Sequence, residues 1–163
     1  MWWKSAVLPI KNHKIDESKK MLIGEYQNQI DAKNRMIVPA KLRDDLGYKC
    51  VITKGLDDCL IIYPMQTWAK QEELLAELPM VDKDARAFRR FIYQNATDCE
   101  IDKQGRVLIP ASLLEKAHIE KELITIGNLD RIEVWAKEVY ETSESGAKLS
   151  EGAFENLSEK FMV

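Results

Sequence analysis

The chain has 163 residues, about the size of one domain, with 45% hydrophobic and 31% charged residues and a formal net charge of −3. This composition excludes wholesale disorder, a collagen-like repeat and a disulfide-dense miniprotein, and no apolar run reaches the ~18 residues of a membrane span. A pI near 5.5 also excludes a uniformly basic surface, although not a basic patch.

Residues 1–20 are read as an N-terminal extension, expected to be disordered. Trp2, Trp3, Val7, Leu8 and Ile10 are broken by Pro9 and then by a lysine-rich stretch, with no sustained period. The apolar segment is too short for a signal peptide, and no small-residue cleavage site follows. A clean strand pattern starts at Met21, which is therefore the expected natural start; an intact mass that includes Trp2 and Trp3 would contradict this.

From there the chain is a tandem duplication. Residues 30–42, IDAKNRMIVPAKL, align with residues 101–113, IDKQGRVLIPASL, and residues 49–68 align with 121–140. In each copy a strand (Gly24 to Ile30; Ala96 to Ile101) enters a polar turn, DAKNR or DKQGR, in which Asn34 or Gly105 accepts a positive φ. A short strand (Met36 to Val38; Val107 to Ile109) ends at Pro39 or Pro110, which suit the first turn of a helix. The helix Ala40 to Leu46 stops at Gly47, and its counterpart spans Ala111 to Ala117. Two strands then pair across a turn containing Gly55 or Gly127: Cys50 to Thr53 with Cys59 to Tyr63, and Leu123 to Ile126 with Arg131 to Trp135.

Between the copies, helices are expected over Thr67 to Leu78, ended by Pro79, and over Asp82 to Tyr93. The second sets Ala85, Phe88 and Ile92 on one stripe and Arg86, Arg89, Arg90 and Tyr93 away from it. Arg86 and Arg90 could pair with Asp82 or with glutamates of a neighbouring subunit. Residues 136–163 read as weakly helical. The units are thus 24–67 and 95–139, joined by a helical linker at 68–94 and followed by an acidic tail at 140–163.

No catalytic motif occurs: there is no nucleophile elbow, phosphate loop, zincin motif or zinc-spaced Cys or His pair. Neither an enzyme activity, a cofactor, a metal nor a small-molecule substrate is expected. Cys50, Cys59 and Cys99 read as reduced, buried thiols, and His13 and His118 have no ligand partners at metal spacing.

The repeated D-x-x-x-R turn carries the chemistry. Asp31 with Arg35, and Asp102 with Arg106, place a carboxylate and a guanidinium at the ends of a turn, with Lys33 or Lys103 between them. An exposed ion pair alone contributes only ~0–1 kcal/mol. A guanidinium oriented by a carboxylate, however, suits bidentate recognition of phosphate or of guanine O6 and N7. Lys33, Lys103 and Lys41 are the expected phosphate contacts, and Arg35 and Arg106 the groups that read base edges or lock the loops to the backbone.

These segments, with the GEYQNQ strand, the ARAFRRFIYQNATDCE linker and the closing IGNLDRIEVW, resemble the MraZ family of bacterial transcriptional regulators from Met21 to about Tyr140. The resemblance implies an α+β fold of two tandem SpoVT/AbrB-like swapped-hairpin (double-psi-like) β-barrel units forming one pseudo-two-fold domain with peripheral helices. It further implies a ring-shaped homo-oligomer that binds double-stranded DNA at short G-rich direct repeats in its own promoter, ahead of the division and cell-wall gene cluster. On that reading the protein is cytoplasmic and nucleoid-associated, and Asp31, Arg35, Asp102 and Arg106 are its functional residues. An AbrB-type antitoxin or a non-DNA oligomeric modulator are the alternatives.

Overall fold

The computed structural model describes residues 21–142, 148–150 and 152–161; the expectation for residues 1–20 lies outside them. The first copy runs β1 (Leu22–Gln29), β2 (Arg35–Ile37), α1 (Ala40–Leu46), β3 (Lys49–Lys54), β4 (Leu60–Pro64), α2 (Met65–Ala76) and α3 (Lys83–Gln94). The second runs β5 (Thr97–Glu100), β6 (Arg106–Leu108), α4 (Ala111–Lys116), β7 (Glu122–Leu129), β8 (Arg131–Ala136), α5 (Lys137–Glu141) and α6 (Ala153–Phe161).

Strands pair across the copies. One antiparallel sheet has the order β1-β7-β8-β4-β3-β5, so the leading strand of each copy lies against the third strand of the other. β1 pairs with β7 from Leu22↔Leu129 to Gln29↔Glu122, and β5 pairs with β3 from Lys49↔Glu100 to Ile52↔Thr97. β2 and β6 form a separate two-stranded ribbon with Met36 opposite Val107.

The central strands are buried on both faces, which is why their sequences are continuous apolar runs rather than alternating ones. Along β4, Leu60 and Ile62 face one cluster while Ile61 and Tyr63 face another. The first cluster joins these strands to the ribbon through Met36, Val38, Val107 and Ile109, and to the short helices through Leu42, Leu46, Leu113 and Leu114. The second is built around Trp68 of α2 and Trp135 of β8. Each buried aliphatic side chain contributes about 1.5–3 kcal/mol. Since the first cluster draws on both copies, neither copy completes that core alone.

The short helices follow the expected design. Leu42 and Leu46 of α1 are buried one turn apart, and Gly47, at φ 81°, returns its N–H to the Arg43 carbonyl. In the second copy His118 takes the same left-handed place at φ 57°.

Several expectations need correction. Gly127 lies inside β7, not in the turn: it faces Gly24 across the β1 pairing, and a Cβ there would sit 2.5 Å from the Ile23 nitrogen. The β7–β8 turn is made instead at Leu129, which takes φ 64°, and Asp130. The helix expected to start at Thr67 begins at Met65 and ends at Ala76, before Pro79 is reached. On α3 no residue is fully buried: Ile92 of the apolar stripe packs against the second cluster, while Phe88 is 42% exposed. Finally, Asp82 does not pair with Arg86. Its carboxylate caps α3 by accepting from the Asp84 and Ala85 amides, while Arg86 donates to the Met80 and Val81 carbonyls. Cys50 and Cys59 are buried as expected, with burial pushing the Cys59 thiol up to about 12, whereas Cys99 is only half-buried.

Candidate nucleic-acid interface

The two D-x-x-x-R turns close in the same way. In the first loop, Asp31 Oδ1 accepts from the Lys33 amide (2.9 Å) and the Arg35 amide (2.8 Å), and Oδ2 accepts from Arg35 Nε (2.8 Å). In the second, Asp102 Oδ1 accepts from the amides of Gln104 and Arg106, each at 2.9 Å, and Oδ2 from Arg106 Nε at 2.8 Å. Backbone bonds finish each turn: Asp31 and Arg35, like Asp102 and Arg106, are joined by N–H to carbonyl bonds of 2.9 Å. Asn34 and Gly105 occupy the left-handed corner at φ 61° and 78°.

The aspartate therefore does two jobs, as turn cap and as arginine bracket. The Arg35 amide, before its guanidinium, holds the Asp31 carboxyl below its ordinary value, and the Arg106 amide does the same for Asp102. Both groups stay ionised at neutral pH. Each guanidinium is engaged through Nε, and its terminal nitrogens make no hydrogen bond among the described residues. Those nitrogens form the donor fork that phosphate or a guanine edge accepts.

The ribbon brings the loops together. Arg35 and Arg106 open β2 and β6, and the register sets Arg35 opposite Leu108 and Arg106 opposite Ile37. Met36 and Val107 point into the core with no exposure, so by strand alternation the two arginines share the outer face with Ile37 and Leu108, which are 51% and 60% exposed. Reciprocal bonds lock the loops to the opposite strands: Val38 N–H donates to the Gly105 carbonyl (2.8 Å) and Ile109 N–H to the Asn34 carbonyl (2.9 Å). Asn28 of β1 adds a brace by donating from Nδ2 to the Ile37 carbonyl at 2.7 Å.

Lys33, Lys103 and Lys41 are all exposed, the last on α1. The first two stand at different places within their loops. Lys33 occupies the position of Gln104, and Lys103 that of Ala32, so the lysines are not symmetry equivalents.

Sequence reasoning missed Arg43. Its Nε donates to the Val38 carbonyl at 2.8 Å, and its guanidinium covers the space where Gly105 would carry a Cβ. The signal was present as a departure between the copies, since residue 114, the counterpart of Arg43, is leucine. A concavity of about 500 Å³ lies between α2, α3, the β3–β4 hairpin and the β7–β8 turn and contains none of the expected site residues. Among the described residues there is no group of three or more His, Cys, Asp or Glu that could hold a metal ion, and no helix is long and apolar enough to cross a membrane.

Fold and site together define a duplicated α+β protein that presents two carboxylate-bracketed arginine loops on one ribbon. The family model described as "MraZ protein, putative antitoxin-like" matches it twice, at residues 21–91 and 92–161. The chain is also similar to proteins named "Transcriptional regulator MraZ". That of Thermoanaerobacter sp. (strain X514) is 52% identical over 139 residues, covering 85% of this chain and 95% of that protein. The one from Clostridium beijerinckii is 52% identical over 141 residues, covering 86% and 96%. A third, from Desulforamulus reducens, is 46% identical over 142 residues, covering 87% and 98%. The chain belongs to the MraZ family.

Proposed function

We propose that this protein is a DNA-binding transcriptional regulator, not an enzyme, and that the paired loops are its contact with duplex DNA. The observation that carries the reading is the twofold bracket. Two arginines on the outer face of one ribbon are each oriented by a carboxylate through Nε, with the terminal nitrogens left to a ligand. Arg35 and Arg106 read base edges or grip the backbone, and Lys33, Lys103 and Lys41 add phosphate contacts. The exchange of leading strands between the copies supports a swapped-hairpin barrel unit that is complete within one chain.

One such unit offers few cations, so affinity comes from repetition. A ring of copies meeting short direct repeats in the promoter ahead of the division and cell-wall genes, this protein's own among them, raises the effective concentration of each further contact. The working place of such a protein is the nucleoid in the cytoplasm.

Fluorescence anisotropy with a duplex from the region upstream of the gene tests this. Replacing Arg35 and Arg106 together with alanine is expected to abolish sequence-dependent binding, at about 1–3 kcal/mol for each base-reading arginine. Parent-like affinity in that double variant would sink the assignment. An antitoxin role is the second reading. It is favoured by α6, whose Phe154, Leu157 and Phe161 are all exposed, and by the description of the matching family; co-purification of a small toxic partner bound to α6 would support it.

A further inference from the structure

The two loops are alike in their carboxylate brackets and unlike in what lies behind them. Gly105 is buried at φ 78°, and a Cβ built there would lie 2.3 Å from Arg43 Cζ, 2.5 Å from Nε and 2.7 Å from Nη1. The Arg43 guanidinium, from α1 of the first copy, therefore rests directly on the backbone of the second copy's loop. It is anchored there by the Val38 peptide: Arg43 Nε donates to the Val38 carbonyl, and the Val38 N–H donates to the Gly105 carbonyl, both at 2.8 Å. The mirror contact exists only in part. Ile109 N–H bonds to the Asn34 carbonyl, but the counterpart of Arg43 is Leu114, which is buried in the first core cluster, and Asn34 carries a side chain where Gly105 has none. The differences are thus paired: arginine with glycine on one side, leucine with asparagine on the other. A guanidinium can cover this corner only where the corner residue lacks a Cβ.

We infer that Arg43 is a positioning residue for DNA recognition, holding the Gln104–Arg106 segment from the opposite copy so that the second loop is the more discriminating of the two. This rests on the loops being the DNA contact. Arg43 is half-buried, and its terminal nitrogens make no hydrogen bond among the described residues, so its charge also adds to the field at the second loop. The first loop has no arginine at the corresponding chain position, carries Lys33 of its own, and is the more adaptable contact.

A double-mutant cycle tests the assignment. Anisotropy is measured with the upstream duplex and with a scrambled duplex of equal length, for the parent, Arg43→Leu, Gly105→Asn, the two combined, and Arg43→Lys, with circular dichroism and light scattering confirming that each is folded and assembled. Arg43→Leu should weaken upstream-duplex binding about tenfold and reduce its preference over the scrambled duplex. Gly105→Asn should be worse. The combined variant should bind better than Gly105→Asn alone, because leucine removes the guanidinium that the new side chain would meet. Arg43→Lys keeps the charge but not the planar contact, and should keep the parent's salt dependence while losing discrimination. Simple additivity of the two single effects, a parent-like Arg43→Leu, or full rescue by lysine would each overturn the positioning role. Failure of the parent itself to prefer the upstream duplex would instead sink the proposed function.

Discussion

The first and second loops share one chemical device within 0.1 Å, yet they are built from different surroundings. The shared part is local. A carboxylate that accepts two amides and one guanidinium nitrogen needs only the spacing D-x-x-x-R and a corner residue able to reach positive φ. The unshared part is tertiary, and comes from the helix of the other copy: Arg43 rests behind Gly105, whereas its counterpart Leu114 is buried in the first core cluster. Duplication preserved the chemistry that faces outward and let the supports diverge.

The largest effect that would break the comparison is at the corner itself. Gly105→Asn should weaken binding to the upstream duplex by tenfold or more, whereas Asn34→Gly should change it by less than about threefold, because removing a side chain from a left-handed position costs only backbone entropy. Anisotropy with both variants checks this, and equal losses would show that the corners are equivalent.

A smaller effect concerns the brackets. Both carboxyls are held below the ordinary aspartate value near 3.8, so their contribution is fully present above that value and is lost as pH falls through the lower folded value. A 13C titration of the aspartate carboxyls should place both midpoints below 3.8. A midpoint at or above it for either residue would show that its bracket is open in solution.

The smallest expected effects are those of the lysines. Lys33→Ala and Lys103→Ala should each lower the salt slope by about 1 and weaken binding alike on upstream and scrambled duplexes. A change in sequence preference from either would promote that lysine from phosphate contact to base reader. Away from the loops, Gly127→Ala serves as a control on the fold: its Cβ meets the β1 backbone, and a loss of several kcal/mol is expected in chemical denaturation.

Much of this was legible in the sequence because the signals were local. The helix Ala40 to Leu46 begins after a proline and ends at a left-handed glycine, and both bounds are found as read. The Asp–Arg pairs follow from spacing alone. What was not legible depends on which copy supplies a neighbour. β1 and β5 carry similar patterns, and no periodicity states that β1 must pair with β7 rather than with its own copy; that exchange came only with the family resemblance. Gly127 read as a turn residue because glycines usually mark turns, while its actual role is to let β1 approach β7 closely opposite Gly24. Arg43 has no place in the loop motif, and its contact with Gly105 spans 62 positions of sequence. The stripe Ala85, Phe88 and Ile92 follows from the amphipathic period, which reports the apolar face of a helix and not how far this chain covers it: Ile92 packs on the second cluster and Phe88 stays exposed.

The central claim is that both loops, side by side on one ribbon, are where DNA binds. Lysine-selective acetylation of the assembled protein, read by mass spectrometry with and without the upstream duplex, tests it most directly. The account predicts that DNA protects Lys33, Lys41 and Lys103 and leaves the labelling of Lys70, Lys83 and Lys148 unchanged. Unaltered labelling at Lys33 and Lys103, with protection appearing on α2 or α3 instead, would contradict it.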